Sequence, residues 1–130
     1  MSKAKNVAKV ELWSDGCARP NPGPGGWGTA AKRGRETEEV SGGLEETTSN
    51  RAELTAILKG LSLLTRPGDE VAVHTDSRYC VGVLSSNWKV KANRDLIRAI
   101  WEASADRQVS YRHVPTEDNR RADWLSRLYL

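Results

Sequence analysis

Thirteen residues at positions 16–28, GCARPNPGPGGWG, carry three prolines and five glycines. They follow an apolar run, VAKVELWS (residues 7–14), through a single aspartate, Asp15. Proline lacks the amide donor and glycine favours turns, so GCARPNPGPGG (16–26) is read as a stiff loop, neither helix nor central strand. The run before it reads as a buried strand. GWGTAAKRG (26–34) and ETEEVSGG (36–43) read as two short strands, with Gly34 and Arg35 as the hairpin turn between them. Three strands joined this closely form an antiparallel meander.

The chain then changes period. In TTSNRAELTAILKGLSLL (47–64), Leu54, Ile57, Leu58, Leu61 and Leu64 recur at three and four, the spacing of one helical face. Thr48, Ser49 or Asn50 can cap its start, and RPGD stops it. EVAVHTD (70–76) is a buried strand that again ends in an aspartate, and SRYCVGVLSS (77–86) is a short helix. NRDLIRAIWEAS (93–104) is a helix with Asn93 as cap and Leu96, Ile97, Ile100 and Trp101 as its apolar face. QVSYRHV (108–114) is a strand. TEDNRRADWLSRLYL (116–130) is a last helix, with Ala122, Leu125 and Leu128 or Tyr129 inward. Strands separated by helices join a sheet in parallel through right-handed crossovers. The order βββαβααβα therefore predicts an α/β fold: a mixed five-stranded sheet, three strands antiparallel and two parallel, with helices packed on it.

The 130 residues, 38% hydrophobic and 28% charged, read as a single globular domain over 1–130, with residues 1–6 a flexible basic N-terminus. The starting Met and the lysines near it suggest a free chain, and a monomer is the default. No stretch reaches the ~20 apolar residues of a membrane helix, and no apolar h-region marks a secretory signal. Cys17 and Cys80 lie far apart without a CxxC pair, so they read as reduced thiols of a cytoplasmic protein. The net charge is +3, and residues 66–130 hold eleven Lys/Arg against nine Asp/Glu. Lys89, Lys91, Arg94 and Arg98 cluster there, which hints at a polyanion partner. A solvated helix face is the plainer reading.

The acids are more informative. Asp15 and Asp76 each end an apolar strand. If those strands are neighbours, two carboxylates stand side by side, which is unfavourable unless a cation lies between them. Oxygen ligands of this kind suit a hard ion such as magnesium. Glu53 lies on or beside the buried face of the long helix, and Asp123 takes the corresponding place in the last one. Either alone also reads as a solvated or capping group.

SDG, NPGPGGWG, TSNRAEL, VHTDSRY and NRRAD follow one another in this order, on the strand ends and helix starts just described. With them the chain, from about Val7 to Leu128, resembles ribonuclease H of type 1, the enzymes that cleave RNA paired with DNA. The resemblance implies a ribonuclease H-like fold with helices on both faces of the sheet. It implies a four-carboxylate site of Asp15, Glu53, Asp76 and Asp123 holding two magnesium ions, with manganese as substitute. Asp15 would bridge both ions. Glu53 and Asp76 would help to hold one, and Asp123 the ion carrying the attacking water. The products would be a 5′-phosphate and a 3′-hydroxyl. The family reads the RNA 2′-hydroxyl with groups in the Gly-rich loop and at the long helix start, which here correspond to Asn21, Ser49 and Asn50, and with Arg78 after TDS. Thr48 and Asn93 match a DNA phosphate pocket, although both also read as helix caps. Trp88 resembles a tryptophan lining the DNA channel, with a core tryptophan as the plain alternative.

The chain departs from many relatives in several ways. The helix after TDS is shorter, which bears on the placement of Trp88, and the glycines of a mobile GHxG loop before the final aspartate are lost. NWKVKANRDL runs almost directly into the next helix, so a basic protrusion is missing, and binding is expected to be weaker and steeply salt-dependent. Glu46 stands where some relatives have a basic phosphate ligand. His113, ten residues before Asp123, reads equally as a product-release residue or as a silent strand histidine; His74 reads as structural. Fold alone does not decide substrate, since ribonuclease H-like folds also host resolvases, integrases and exonucleases. An inactive nucleic-acid-binding domain would be signalled by loss of one carboxylate, and all four are present.

Overall fold

The computed structural model describes residues 7–85 and 88–130. The predicted N-terminal tail (1–6) and the last predicted residue of the second helix, 86, lie outside them. Five strands, β1 (Lys9–Ala18), β2 (Gly23–Arg33), β3 (Glu36–Thr47), β4 (Glu70–Thr75) and β5 (Gln108–His113), form one sheet in the order β3-β2-β1-β4-β5. The meander β1-β2-β3 is antiparallel, and β4 and β5 join β1 in parallel, as predicted. The helices are α1 (Ser49–Leu64), α2 (Arg78–Ser85), α3 (Arg94–Ser104) and α4 (Arg120–Ser126), the last preceded by a 3-10 turn, Thr116–Asp118. Among the described residues no helix is long and apolar enough to cross a membrane.

The Pro-Gly segment is where the structure departs most from the sequence reading. β1 does not stop at Ser14. It continues through Asp15 to Ala18, paired with β2 down to Ala18 and Gly25. Only residues 19–22 turn, closed by the Arg19 amide on the Pro24 carbonyl at 2.8 Å. Most of these glycines serve packing. A Cβ at Gly26 would lie 2.2 Å from the Ser126 carbonyl oxygen, and one at Gly28 would lie 2.4 Å from Leu125 Cβ, so their absence lets α4 settle on the sheet. Pro24 sits where the β2–β3 register shifts between Gly23 and Gly25, the kind of irregularity that spares a missing donor. β3 likewise runs on past residue 43, to Thr47.

α1 packs on one face of the sheet and α4 on the other. On the α1 side, Thr29 donates its hydroxyl to the Ala56 carbonyl at 2.6 Å, and Gly60 lies close to Leu12 and Thr29. Leu12, Leu54, Ile57, Leu61, Val73, Ile97 and Ile100 are fully buried between the sheet, α1 and α3. Thr48 is the cap of α1, its hydroxyl accepting the Arg51 amide at 3.2 Å. Asn93 is not a side-chain cap of α3. It has a left-handed backbone (φ 62°) and its amide group is engaged elsewhere. Trp101, expected inward, is 51% exposed, because the buried stripe of α3 is confined to Ile97 and Ile100.

The last helix is shorter than its sequence pattern. Asn119 is 1% exposed and donates to the Ser14 carbonyl at 2.8 Å, which pins the chain to β1 with a non-helical backbone (φ −126°) and separates the 3-10 turn from α4. Ala122 and Leu125 point inward; Leu128 and Tyr129 remain about half exposed.

Candidate active site

Parallel pairing between β1 and β4 ends at Ser14 opposite Thr75, so the next residue on each strand is an aspartate. Asp15 is still held, on its other side, by β2 through Gly28. Asp76 has just left β4. Glu53 comes from the first turns of α1. Its approach depends on Gly16, where a Cβ would lie 2.2 Å from the Ala52 carbonyl carbon and 2.5 Å from the Glu53 nitrogen. The Gly16 amide in turn donates to Asp15 Oδ1 at 2.9 Å. One carboxylate oxygen from each of Asp15, Glu53 and Asp76 lies within 4.8 Å of the others. Asp123, whose amide is held by the Asn119 carbonyl at 3.0 Å, approaches Asp15 from α4 but stands outside that tight group.

The electrostatics follow from burial and like charge. Asp15 is pushed up to about 7 by burial first, then by the Asp76 charge and by a hydrogen bond shared with Asp123. Burial raises Glu53 well above the usual carboxylate range, with the charges of Asp15 and Asp76 adding to it. Asp76 is also raised, mainly by burial. Asp123 alone is lowered, because Arg127 binds it. Three acids that resist ionising together form a site built for a cation, which would offset both their repulsion and their desolvation. A further observation agrees. Among the described residues, Glu53 Oε1 is sealed from solvent with no hydrogen-bond partner. The all-oxygen donor set suits a hard divalent cation.

The residues expected to touch substrate fall into two groups around this cluster. In the first, Asn21 Oδ1 accepts the Ser49 amide at 3.1 Å, which ties the turn of the Gly-rich loop to the start of α1, and Asn50 is exposed beside it. Thr48 and Asn93 are brought together by Arg51, whose amide meets Thr48 and whose guanidinium reaches Asn93 Oδ1 at 3.3 Å and Asp95 at 2.8 Å. Asn93 also donates to the Tyr79 hydroxyl at 2.9 Å. Arg51 was not singled out from the sequence, although it lies inside TSNRAEL. In the second group, Arg78, Trp88 and His113 line a cleft of about 180 Å³. Trp88 is 54% exposed, not a core residue, and its ring lies directly on Gly82. His113 is the last residue of β5, opposite Thr75, the residue that precedes Asp76. His74 is structural: it stacks on Trp13 at 4.9 Å and pairs with Glu11 at 3.1 Å. A larger cleft, about 560 Å³, opens where the parallel strands begin, around Lys9, Glu70 and Gln108, at the far end from the carboxylates.

Comparison with known proteins agrees with this fold. The family model for RNase H matches residues 7–129. The chain is 37% identical to a ribonuclease H of Bordetella pertussis, covering 91% of this chain and 86% of that one. It is 39% identical to a ribonuclease H of Aromatoleum aromaticum, covering 92% and 88%. Among solved structures, the N-terminal RNase H domain of a Mycobacterium tuberculosis protein superposes with a TM-score of 0.85 at 29% identity, covering 92% of this chain and 91% of that one. LC11-RNase H1, solved in complex with an RNA/DNA hybrid, superposes with a TM-score of 0.82 at 33% identity, covering 90% and 93%. From a mixed sheet with acids where its parallel strands end, and from matches that run nearly end to end, the chain belongs to the ribonuclease H family.

Proposed function

We propose that the chain hydrolyses the RNA strand of RNA–DNA hybrids, leaving 5′-phosphate and 3′-hydroxyl ends, with two divalent ions, magnesium or in its place manganese. The observation that carries this is the convergence of Asp15, Glu53 and Asp76, with Glu53 Oε1 buried and unpartnered. These three and Asp123 would hold the ions. When bound, such ions activate water at neutral pH and neutralise charge on phosphoryl oxygens. The protein's own part is to fix the acids. β1 holds Asp15 between two strands, the Gly16 contact seats Glu53, and Asn119 holds the first turn of α4 so that Asp123 faces Asp15.

Recognition is divided between the two groups of substrate residues. The Asn21–Ser49 link and Asn50 present polar groups to the RNA strand, where a 2′-hydroxyl distinguishes it from DNA. Thr48, Asn93 and Arg51, the last paired with Asp95, form a polar cluster that would take a DNA phosphate. The Arg78–Trp88 cleft offers an aromatic face to a sugar or base. The test is cleavage of a short labelled RNA, free, in an RNA duplex and in a DNA hybrid, with magnesium and with EDTA, alongside Asp15→Asn. Cutting of the hybrid alone, only with metal and not by the variant, is expected. Hybrid binding without cutting by the wild type would leave a binding module and sink the nuclease reading.

A further inference from the structure

Among the described residues, Asp123 differs from the other three acids in having an arginine partner of its own. Arg127, four residues on at the end of α4, donates from Nε to Oδ1 at 3.2 Å and from a terminal nitrogen to Oδ2. One planar fork thus engages both carboxylate oxygens, a geometry specific to arginine. The guanidinium is about half exposed, and all its described side-chain hydrogen bonds go to Asp123. An exposed pair of this spacing contributes little to the stability of a helix, so structural need does not explain it. Its position does matter. An ion held by Asp123 needs at least one of the oxygens that Arg127 covers, and it would bring like charge against the guanidinium. Both cannot keep the same carboxylate. Arg127 is the one with a long, flexible stem and solvent behind it.

Resting on the reading that Asp123 helps to hold an ion, we propose that Arg127 is the resident counter-ion of Asp123, a positioning residue that must be displaced before an ion binds there. It keeps the carboxylate oriented in the empty state and weakens ion binding at that position. The position formed by Asp15, Glu53 and Asp76, which have no such partner among the described residues, is left largely unaffected. The two ion positions are therefore unequal by construction, and the second fills at higher ion concentration than the first.

Direct binding to the full chain without nucleic acid tests this. Manganese is titrated into wild type, Arg127→Gln, Arg127→Lys, Asp123→Asn and the Arg127→Gln/Asp123→Asn double variant, and free ion is counted by its electron paramagnetic resonance signal. Circular dichroism confirms that each is folded. Arg127→Gln should tighten the weaker class of sites about fivefold or more, the order expected when a competing charge beside a partly buried carboxylate is removed. The tighter class should move less than about twofold. Arg127→Lys, a charge without the fork, should fall between. In the Asp123→Asn background the glutamine should change nothing. Unchanged or weaker binding by Arg127→Gln would overturn the proposal, as would an equal gain in the Asp123→Asn background, which would mark Arg127 as a distant charge only. If wild type binds no manganese, the ion reading fails and takes this inference with it; manganese bound but indifferent to Arg127 defeats this inference alone.

Discussion

Asp15→Asn should make the metal-free protein more stable at alkaline pH while abolishing its activity. The Asp15 carboxyl rises from 3.8 to about 7 on folding. A group whose pKa is raised holds its proton in the folded state where the unfolded chain has lost it. The stability it confers is complete below about pH 4 and disappears as pH rises through about 7. At 1.36 kcal/mol per unit, the ceiling on that loss is about 4 kcal/mol for this group. Asp76, Glu53 and Asp123 share the titration, so removing one ionisable member relieves part of it, about 2 kcal/mol. Asparagine keeps an oxygen for the Gly16 amide and a donor for Asp123, so little is lost elsewhere. Urea unfolding in EDTA is the assay. With a slope of about 2 kcal/mol/M, the variant's midpoint should exceed that of wild type by about 1 M at pH 8 and by little at pH 5. Magnesium should raise the wild-type midpoint at pH 8 and leave the variant nearly unchanged. A variant less stable than wild type at pH 8, or equally stabilised at both pH values, would refute the argument that buried like charge strains the empty site.

The remaining predictions concern the scaffold and the surface. Gly16→Ala places a methyl against the Ala52 carbonyl and should cost about 1–3 kcal/mol in thermal or urea unfolding. Its cleavage rate should fall further than a comparably destabilised core variant such as Leu61→Ala, because Glu53 is pushed from Asp15. Asp69, buried and held low by hydrogen bonds from Arg33 and the Arg66 amide, should cost about 3 kcal/mol when changed to Ala, since Arg33 loses its partner. The stability it supplies is present above about pH 4 and fades as pH falls below, readable as a shallower acid limb in the variant. Trp88→Ala should weaken hybrid binding about tenfold with folding unchanged, measured by fluorescence anisotropy. An unchanged affinity would return Trp88 to the role of a lid over Gly82.

Periodicity made α1 legible, because five apolar residues at helical spacing have one solution against a sheet. The approach of Asp15 to Asp76 was legible for a similar reason. Two strands ending in the same residue type meet at that residue once they pair in parallel and in register. Glycine was harder to read. In a sequence it signals a turn, yet Gly26 and Gly28 sit inside β2, where what matters is the helix lying on top of them. The break before α4 was hidden because Asn119 has an ordinary helical neighbourhood in sequence; its hydrogen bond to Ser14 spans 105 positions. Trp101 looked inward because its spacing from Ile97 is right, but α3 turns only a narrow stripe toward α1. Arg127 could have been found: an acid followed four residues later by arginine on one helix is a readable pair, and its meaning emerges only when the acid is placed beside Asp15.

β1 outruns its parallel neighbour. Past Ser14 it loses β4 but keeps β2 for four more residues, so Asp15 stands on a half-paired strand at a notch in the sheet. The amides around it are tied into the same ladder as the core and should open to solvent only when much of the protein unfolds. The residues expected to grip nucleic acid sit on the adjoining turn, on helix starts and near Trp88, where opening is local and cheap. The protein can thus let its grip on a strand loosen and re-form many times without moving the group on which cutting depends.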